Sequence, residues 1–126
     1  MARIMVCDDD CERAEELLAA LRVAGHQAET CRHTMDVLRE AASGHFDLVA
    51  LGLDLPGFVR AGAIEAFREV APHVALIAIH NSPAEVMQVM ARAGVAAVLP
   101  RPVVIEDFIE AASRVLKQQR TIMLQA

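Results

Sequence analysis

The amino-acid sequence predicts a single α/β domain with three layers, in which a five-stranded parallel sheet carries helices on both faces. Two observations predict this (βα)₅ class. Short apolar runs alternate along the chain with segments of helical periodicity. The runs are also almost continuously apolar, as strands buried on both faces are. The 126 residues suit one compact domain, which we place at residues 1–126.

The predicted strands are apolar runs that end abruptly in polar residues or turns. The first ends in three consecutive aspartates, and the second is more polar, which favours a position near the edge of the sheet. The predicted strands are residues 3–7, 27–31, 47–51, 74–79 and 96–99.

Helices are predicted between and after these strands from apolar spacing and from terminal residues. Asp10 and Thr34 are suited to cap the first two helices, and Pro83 is suited to the first position of the fourth. The last amphipathic helix is predicted over residues 105–117. Residues 118–126 are therefore expected to be a tail or the start of a linker.

Composition excludes several classes of function. The chain has no Trp or Tyr and a net charge of −5, which argues against base stacking and against binding of a phosphate backbone. The early aspartates and the short apolar runs argue against a signal peptide and a membrane span. Cys7, Cys11 and Cys31 lack metal-site spacing, which favours reduced thiols. We expect a cytoplasmic protein without nucleic-acid or membrane partners.

Polar residues follow four of the predicted strands. Sites in parallel α/β sheets form outside the carboxyl ends of the strands, so we expect any chemistry there. The segments at these ends are Asp8-Asp9-Asp10, Gly52-Leu53-Asp54, Ile79-His80-Asn81 and Pro100-Arg101-Pro102. The acidic pair Asp8 and Asp9 offers hard oxygen ligands of the kind that Mg²⁺ prefers.

Three segments resemble the receiver domain of two-component response regulators. Residues 4–10 are similar to its first strand and acidic pair, residues 46–57 to its third strand and Pro-Gly loop, and residues 94–102 to its fifth strand and basic-residue–Pro turn. The resemblance covers essentially the whole chain. It implies a flavodoxin-like, receiver-like fold and agrees with the element order predicted above.

The resemblance also implies how such a site works. In the family, a kinase histidine passes a phosphoryl group to an Asp at the end of the third strand. Mg²⁺, held by that Asp and the acidic pair, neutralises the group, while a Thr or Ser after the fourth strand and a Lys after the fifth bind its oxygens.

This sequence departs from that pattern. The phosphoacceptor position falls on Gly52, the Thr or Ser position on Ala78 and the Lys position on Arg101, so only Asp8 and Asp9 remain of the chemical set. The aromatic residue that moves on activation is replaced by a valine. The resemblance thus predicts a degenerate pocket formed by Asp8, Asp9, Gly52, Asp54, Ala78 and Arg101.

We therefore predict an atypical receiver domain of a phosphorelay that is not an enzyme and has no catalytic residue. It would lack a phosphoacceptor and act by protein–protein interaction. Asp8 and Asp9 would bind Mg²⁺ weakly or not at all, and no other cofactor is expected. The predicted partner is a histidine kinase or another signalling protein. The resemblance also implies a homodimer face formed by the fourth helix, fifth strand and fifth helix.

Several alternatives remain open at this point. Asp54 could serve as a weak phosphoacceptor with Mg²⁺, or be a solvated loop residue. Arg101 could pair with an acid of the pocket as a fixed cation, or be exposed, and its bond to Pro102 could be cis as in the family. His80 could bind metal or sense pH, but a polar loop residue is favoured. An enzyme or cofactor binder lacks support, because no Gly-rich phosphate loop is present.

Overall fold

A computed structural model of the chain describes residues 2–52, 63–81 and 94–125. Strands and helices alternate within these ranges, as the sequence predicts. The elements are β1 (Arg3–Cys7), α1 (Cys11–Val23), β2 (Gln27–Cys31), α2 (Thr34–Ala42), β3 (Leu48–Gly52), α3 (Ala63–Val70), β4 (Ala75–His80), β5 (Ala97–Pro100) and α4 (Ile105–Gln125).

The strands form one parallel sheet in the order β2-β1-β3-β4-β5. This arrangement confirms the predicted three-layer α/β class, and the polar second strand lies at an edge as predicted. Strands β1 and β3 are neighbours although α1, β2 and α2 separate them in the chain. This is the point where the strand order reverses, and ligand sites of doubly wound sheets form there, outside the carboxyl ends.

The sheet is covered on both faces, which explains the nearly continuous apolar strands. Val37 and Phe67 of α2 and α3 belong to the core on one face. Leu17 of α1 and Phe108 of α4 belong to the core on the other. All of β3 is buried, as a central strand should be.

Helix α1 begins and ends where the sequence indicates. Asp10 is its N-cap, and the carboxylate accepts a 3.2 Å hydrogen bond from the backbone N–H of Arg13. After the helix, Gly25 has a φ of +94°, a left-handed conformation that glycine adopts without steric cost.

The second predicted cap is wrong by one residue. Helix α2 begins at Thr34, and His33 occupies the cap position with no side-chain hydrogen bond to the helix. The predicted third, fourth and fifth strands are each displaced by one residue from β3, β4 and β5. Such displacements arise because pairing with neighbouring strands, rather than local composition, decides where a strand ends.

The last helix runs to Gln125, so its predicted end at residue 117 is wrong, whereas the tail or linker start expected at residues 118–126 stays a prediction. No Gly or Pro interrupts this segment, so nothing in the sequence stops the helix after Lys117. The side-chain amide of Gln119 donates to the carbonyl of His73, which ties this part of α4 to the body of the domain. The helix predicted to begin near Pro83 lies outside the described residues, as does the Pro-Gly loop.

Within the described ranges, no helix combines the length and the apolar character that crossing a membrane requires.

Candidate functional site

The candidate site lies where β1 and β3 end side by side. Cys7 pairs with Leu51 across these strands, so the next residues, Asp8 and Gly52, lie at the same level of the sheet edge. Both are buried. Asp8 is the one buried charged residue in the described part of the chain, and its side chain has no exposed area. A carboxylate in such a place requires hydrogen-bond or ionic partners.

Asp8 has a partner at each carboxylate oxygen. Its Oδ2 accepts a hydrogen bond from Nη1 of Arg101 at 2.8 Å, and its Oδ1 accepts one from the backbone N–H of Asp10 at 3.1 Å. The backbone N–H of Asp8 donates to the carbonyl of Cys31 at 3.2 Å. The carboxylate is therefore fixed by charge-assisted bonds, which are stronger than neutral ones.

Arg101 reaches Asp8 from the far end of the sheet. It follows β5, and its backbone N–H donates to the carbonyl of His80, the last residue of β4, at 2.8 Å. Its side chain is 16% exposed, and its peptide bond to Pro102 is cis, as the resemblance implies. Of the two alternatives for Arg101, pairing with an acid of the pocket is confirmed.

The structure places Ala78 within the sheet rather than at its edge. Ala78 lies inside β4, is 1% exposed and belongs to the core that contains Phe67. The β4 residue that reaches the sheet edge next to Arg101 is His80, two positions later. Residues two positions apart in a strand point to the same face of the sheet, so the apolar pattern alone does not distinguish Ala78 from His80. Ile79, between these two positions, is the register partner of Gly52 on β4.

Of the remaining predicted site residues, the structure describes Asp9 and His80. Asp9 is exposed. His80 is half-buried, and its Nδ1 is buried without a hydrogen-bond partner among the described residues. Asp54 lies outside the described residues, and its predicted role stays a prediction.

The described residues do not fit the magnesium site of the receiver family. Gly52 supplies no carboxylate at the end of β3, and both oxygens of Asp8 already accept hydrogen bonds. No group of three or more His, Cys, Asp or Glu side chains within the described ranges could hold a metal ion.

Sequence reasoning missed one relationship near this site, between Cys7 and Cys31. Each cysteine ends a strand, and the two are directly opposite across β1 and β2. Burial and a hydrogen bond to Cys31 raise the pKa of the Cys7 thiol. The hydrogen bond from Cys7 lowers the pKa of Cys31 to about 7, although partial burial acts against this. One signal for this proximity was available in the sequence, because the first and second predicted strands both end in Cys.

Comparisons with solved structures agree with the fold. No protein-family model matches the chain. A crystal structure of a CheY-like response regulator receiver domain protein from Methanospirillum hungatei JF-1 matches with a TM-score of 0.86 and 21% identity, over 96% of this chain and 98% of that one. A receiver domain protein from Clostridium thermocellum matches with a TM-score of 0.84 and 19% identity, over 97% and 99%.

The chain has the fold of response regulator receiver domains. A sequence relative supports the same assignment: a response regulator receiver protein of Anaeromyxobacter sp. (strain Fw109-5) is 28% identical over 111 residues, which are 87% of this chain. The match covers 47% of that relative, so this chain spans about half its length.

A third structure of this fold contains a phosphorylated aspartic acid. It is a response regulator protein from Burkholderia pseudomallei with a phosphorylated aspartic acid, a calcium ion and citrate. It matches with a TM-score of 0.78 and 17% identity, over 99% of this chain and 72% of that one.

Proposed function

We propose that this receiver domain takes part in phosphorelay signalling by binding a protein partner, without accepting a phosphoryl group at the end of β3. The observation that carries the proposal is the buried ion pair between Asp8 and Arg101, next to Gly52. Gly52 has no side chain that could be phosphorylated. The cation that balances Asp8 belongs to the protein itself.

The ion pair gives a physical reason why such a domain would not depend on Mg²⁺. A metal ion would have to displace Arg101 from Asp8, and separating a buried, hydrogen-bonded pair costs several kcal/mol. Mg²⁺ also gives up its water reluctantly and binds best where several oxygen ligands converge. A guanidinium cation that is always present would instead keep this edge of the sheet in one arrangement.

The proposed partner is a protein, either a histidine kinase or another signalling protein. A second copy of the chain is also proposed, through the face that includes β5 and α4 together with the predicted helix of residues 82–93. The proposal has no catalytic step, so the domain would not be an enzyme. We place this activity in the cytoplasm, where the other proteins of such relays act.

A second candidate function is residual phosphoryl acceptance on Asp54. It is favoured by the position of Asp54 two residues after Gly52 in the chain. This alternative predicts an acyl phosphate on Asp54 that depends on Mg²⁺ and that Asp54→Ala abolishes.

The proposed function is tested by exposing the chain to Mg²⁺ and acetyl phosphate and measuring its melting temperature and its oligomeric state by light scattering. We expect neither quantity to change, whereas a competent receiver domain, used as the positive control, responds to the same treatment. A change in either quantity that requires both reagents would contradict phosphorylation-independent action.

A further inference from the structure

Cys7 and Cys31 are placed as a disulfide would require. They are register partners on the neighbouring parallel strands β1 and β2. Paired residues of adjacent strands have side chains on the same face, and both cysteines belong to or pack against the same core. Adjacent strands lie about 4.8 Å apart, which falls within the range of roughly 4.4 to 6.8 Å between the Cα atoms of bridged cysteines.

The two thiols differ in their access to solvent. Cys7 is fully buried, whereas Cys31 is partly exposed. Cys31 also lines an open groove of about 750 Å³ at the edge of the sheet, together with polar residues such as His33 and Asp36. A small oxidant that enters this groove would therefore meet Cys31 first.

The electrostatic surroundings favour the same order of reaction. The hydrogen bond from Cys7 lowers the pKa of Cys31, so a substantial fraction of Cys31 is thiolate at neutral pH. The thiolate is the nucleophilic form of cysteine. Burial raises the pKa of Cys7, so the Cys7 thiol stays protonated at neutral pH.

We propose that Cys7 and Cys31 form a reversible redox site, in which Cys31 reacts with a hydroperoxide and Cys7 then closes a disulfide between β1 and β2. This inference is independent of the function proposed above.

The chemistry balances with one hydroperoxide for each disulfide. The Cys31 thiolate attacks the terminal oxygen, an S–O bond forms, the O–O bond breaks, and the leaving alkoxide or hydroxide takes a proton from water. The Cys7 sulfur then attacks the sulfenic sulfur. An S–S bond forms, the S–O bond breaks, and the hydroxide leaves as water with the proton of Cys7. The thiols lose two electrons in total, and the hydroperoxide gains them.

The disulfide would form directly beside the Asp8–Arg101 ion pair. Cys7 precedes Asp8 in the chain, and the carbonyl of Cys31 accepts the hydrogen bond from the backbone N–H of Asp8. Oxidation would therefore alter both the residue that precedes Asp8 in the chain and the residue that accepts the hydrogen bond from the Asp8 backbone. A dithiol reductant would restore the thiols by exchange through a mixed disulfide.

The test treats the reduced chain with one equivalent of hydrogen peroxide at neutral pH, then unfolds it in urea, blocks the remaining thiols with N-ethylmaleimide and measures the intact mass. We expect two of the three cysteines to escape alkylation, and dithiothreitol to restore all of them. Cys11→Ser is the matched control, since Cys11 is exposed and lies outside the pair, and this variant should still lose two thiols. Cys31→Ser should lose none to a disulfide.

Four results would overturn the proposal: retention of all thiols, loss of the reaction in Cys11→Ser, persistence of a disulfide in Cys31→Ser, or formation of disulfide-linked dimers. The Cys11→Ser variant shows whether the disulfide joins Cys7 to Cys31 or involves Cys11. Because Cys11 is exposed, this substitution leaves the buried core unchanged.

Discussion

The guanidinium Nη1 of Arg101 lies 2.8 Å from Oδ2 of Asp8, although 93 positions separate the two residues in the chain. The pair joins the end of β5 to the end of β1 across the edge where β3 and β4 also end. Its acidic member has a fully buried side chain. The edge of the sheet at which we propose that no phosphoryl group is accepted thus carries a positive charge supplied by the protein itself.

Replacing Arg101 by Ala should destabilise the domain by about 3 kcal/mol, because a buried carboxylate would lose its charged partner. The free energy of unfolding in urea measures this loss. Arg39→Ala is a matched control, since Arg39 pairs with Asp36 at 2.9 Å with both side chains well exposed. Such a pair should contribute less than about 0.5 kcal/mol. Equal effects of the two substitutions would show that the Asp8–Arg101 pair is not a stabilising contact.

Replacing Asp10 by Ala should cost about 1 kcal/mol, because α1 would lose its N-cap. Asp10→Asn should cost much less, since an amide oxygen can also accept the hydrogen bond from the N–H of Arg13. Urea unfolding of the two variants makes the comparison. Equal losses for Ala and Asn would mean that the charge of Asp10, rather than the cap, matters.

Alkylation of Cys31 should follow a titration with its midpoint at about pH 7, because the thiolate is the reactive form. The pKa is lowered, so the thiolate is present above that pH and the rate falls as the pH drops below it. The measurement is the rate of reaction with iodoacetamide in a Cys11→Ser background. Cys7→Ala removes the hydrogen bond and should move the midpoint upward. A midpoint unchanged by Cys7→Ala would contradict this cause.

Gly52→Asp should make the melting temperature respond to Mg²⁺. Gly52 is a strand residue and is not among the glycines with positive φ, so its backbone conformation does not disfavour an Asp there. The new carboxylate would lie at the level of Asp8 and supply a further oxygen ligand. Gly52→Asn is the uncharged control. If Mg²⁺ stabilised the parent chain as much as Gly52→Asp, the ion pair would not stand in for a metal.

The fold class and element order were predictable because they depend on local signals. The apolar run of β1, the cap at Asp10 and the stop at Gly25 each act within a few residues. Strand ends were less predictable, since Gly52 joins β3 only through its pairing with Ile79. The end of the last helix was placed eight residues too early, although no Gly or Pro in residues 118–125 stops the helix.

The site was only partly predictable. Opposite charges at Asp8 and Arg101 suggested a pair, but the choice among Asp8, Asp9 and Asp54 depended on side-chain directions that the fold determines. Ala78 and His80 lie two positions apart on the same strand, and only the register of β4 with β5 shows that His80 is the one that ends it. The proximity of Cys7 and Cys31 likewise depends on the register of β1 with β2.

Intact mass after incubation with Mg²⁺ and acetyl phosphate shows whether this receiver-like domain accepts a phosphoryl group, which we propose it does not. A competent receiver domain treated in parallel verifies the reagents. We expect the mass of the chain to stay unchanged. A stoichiometric, hydroxylamine-labile gain of one phosphoryl group would contradict it, and loss of that gain in Asp54→Ala would identify Asp54 as the acceptor.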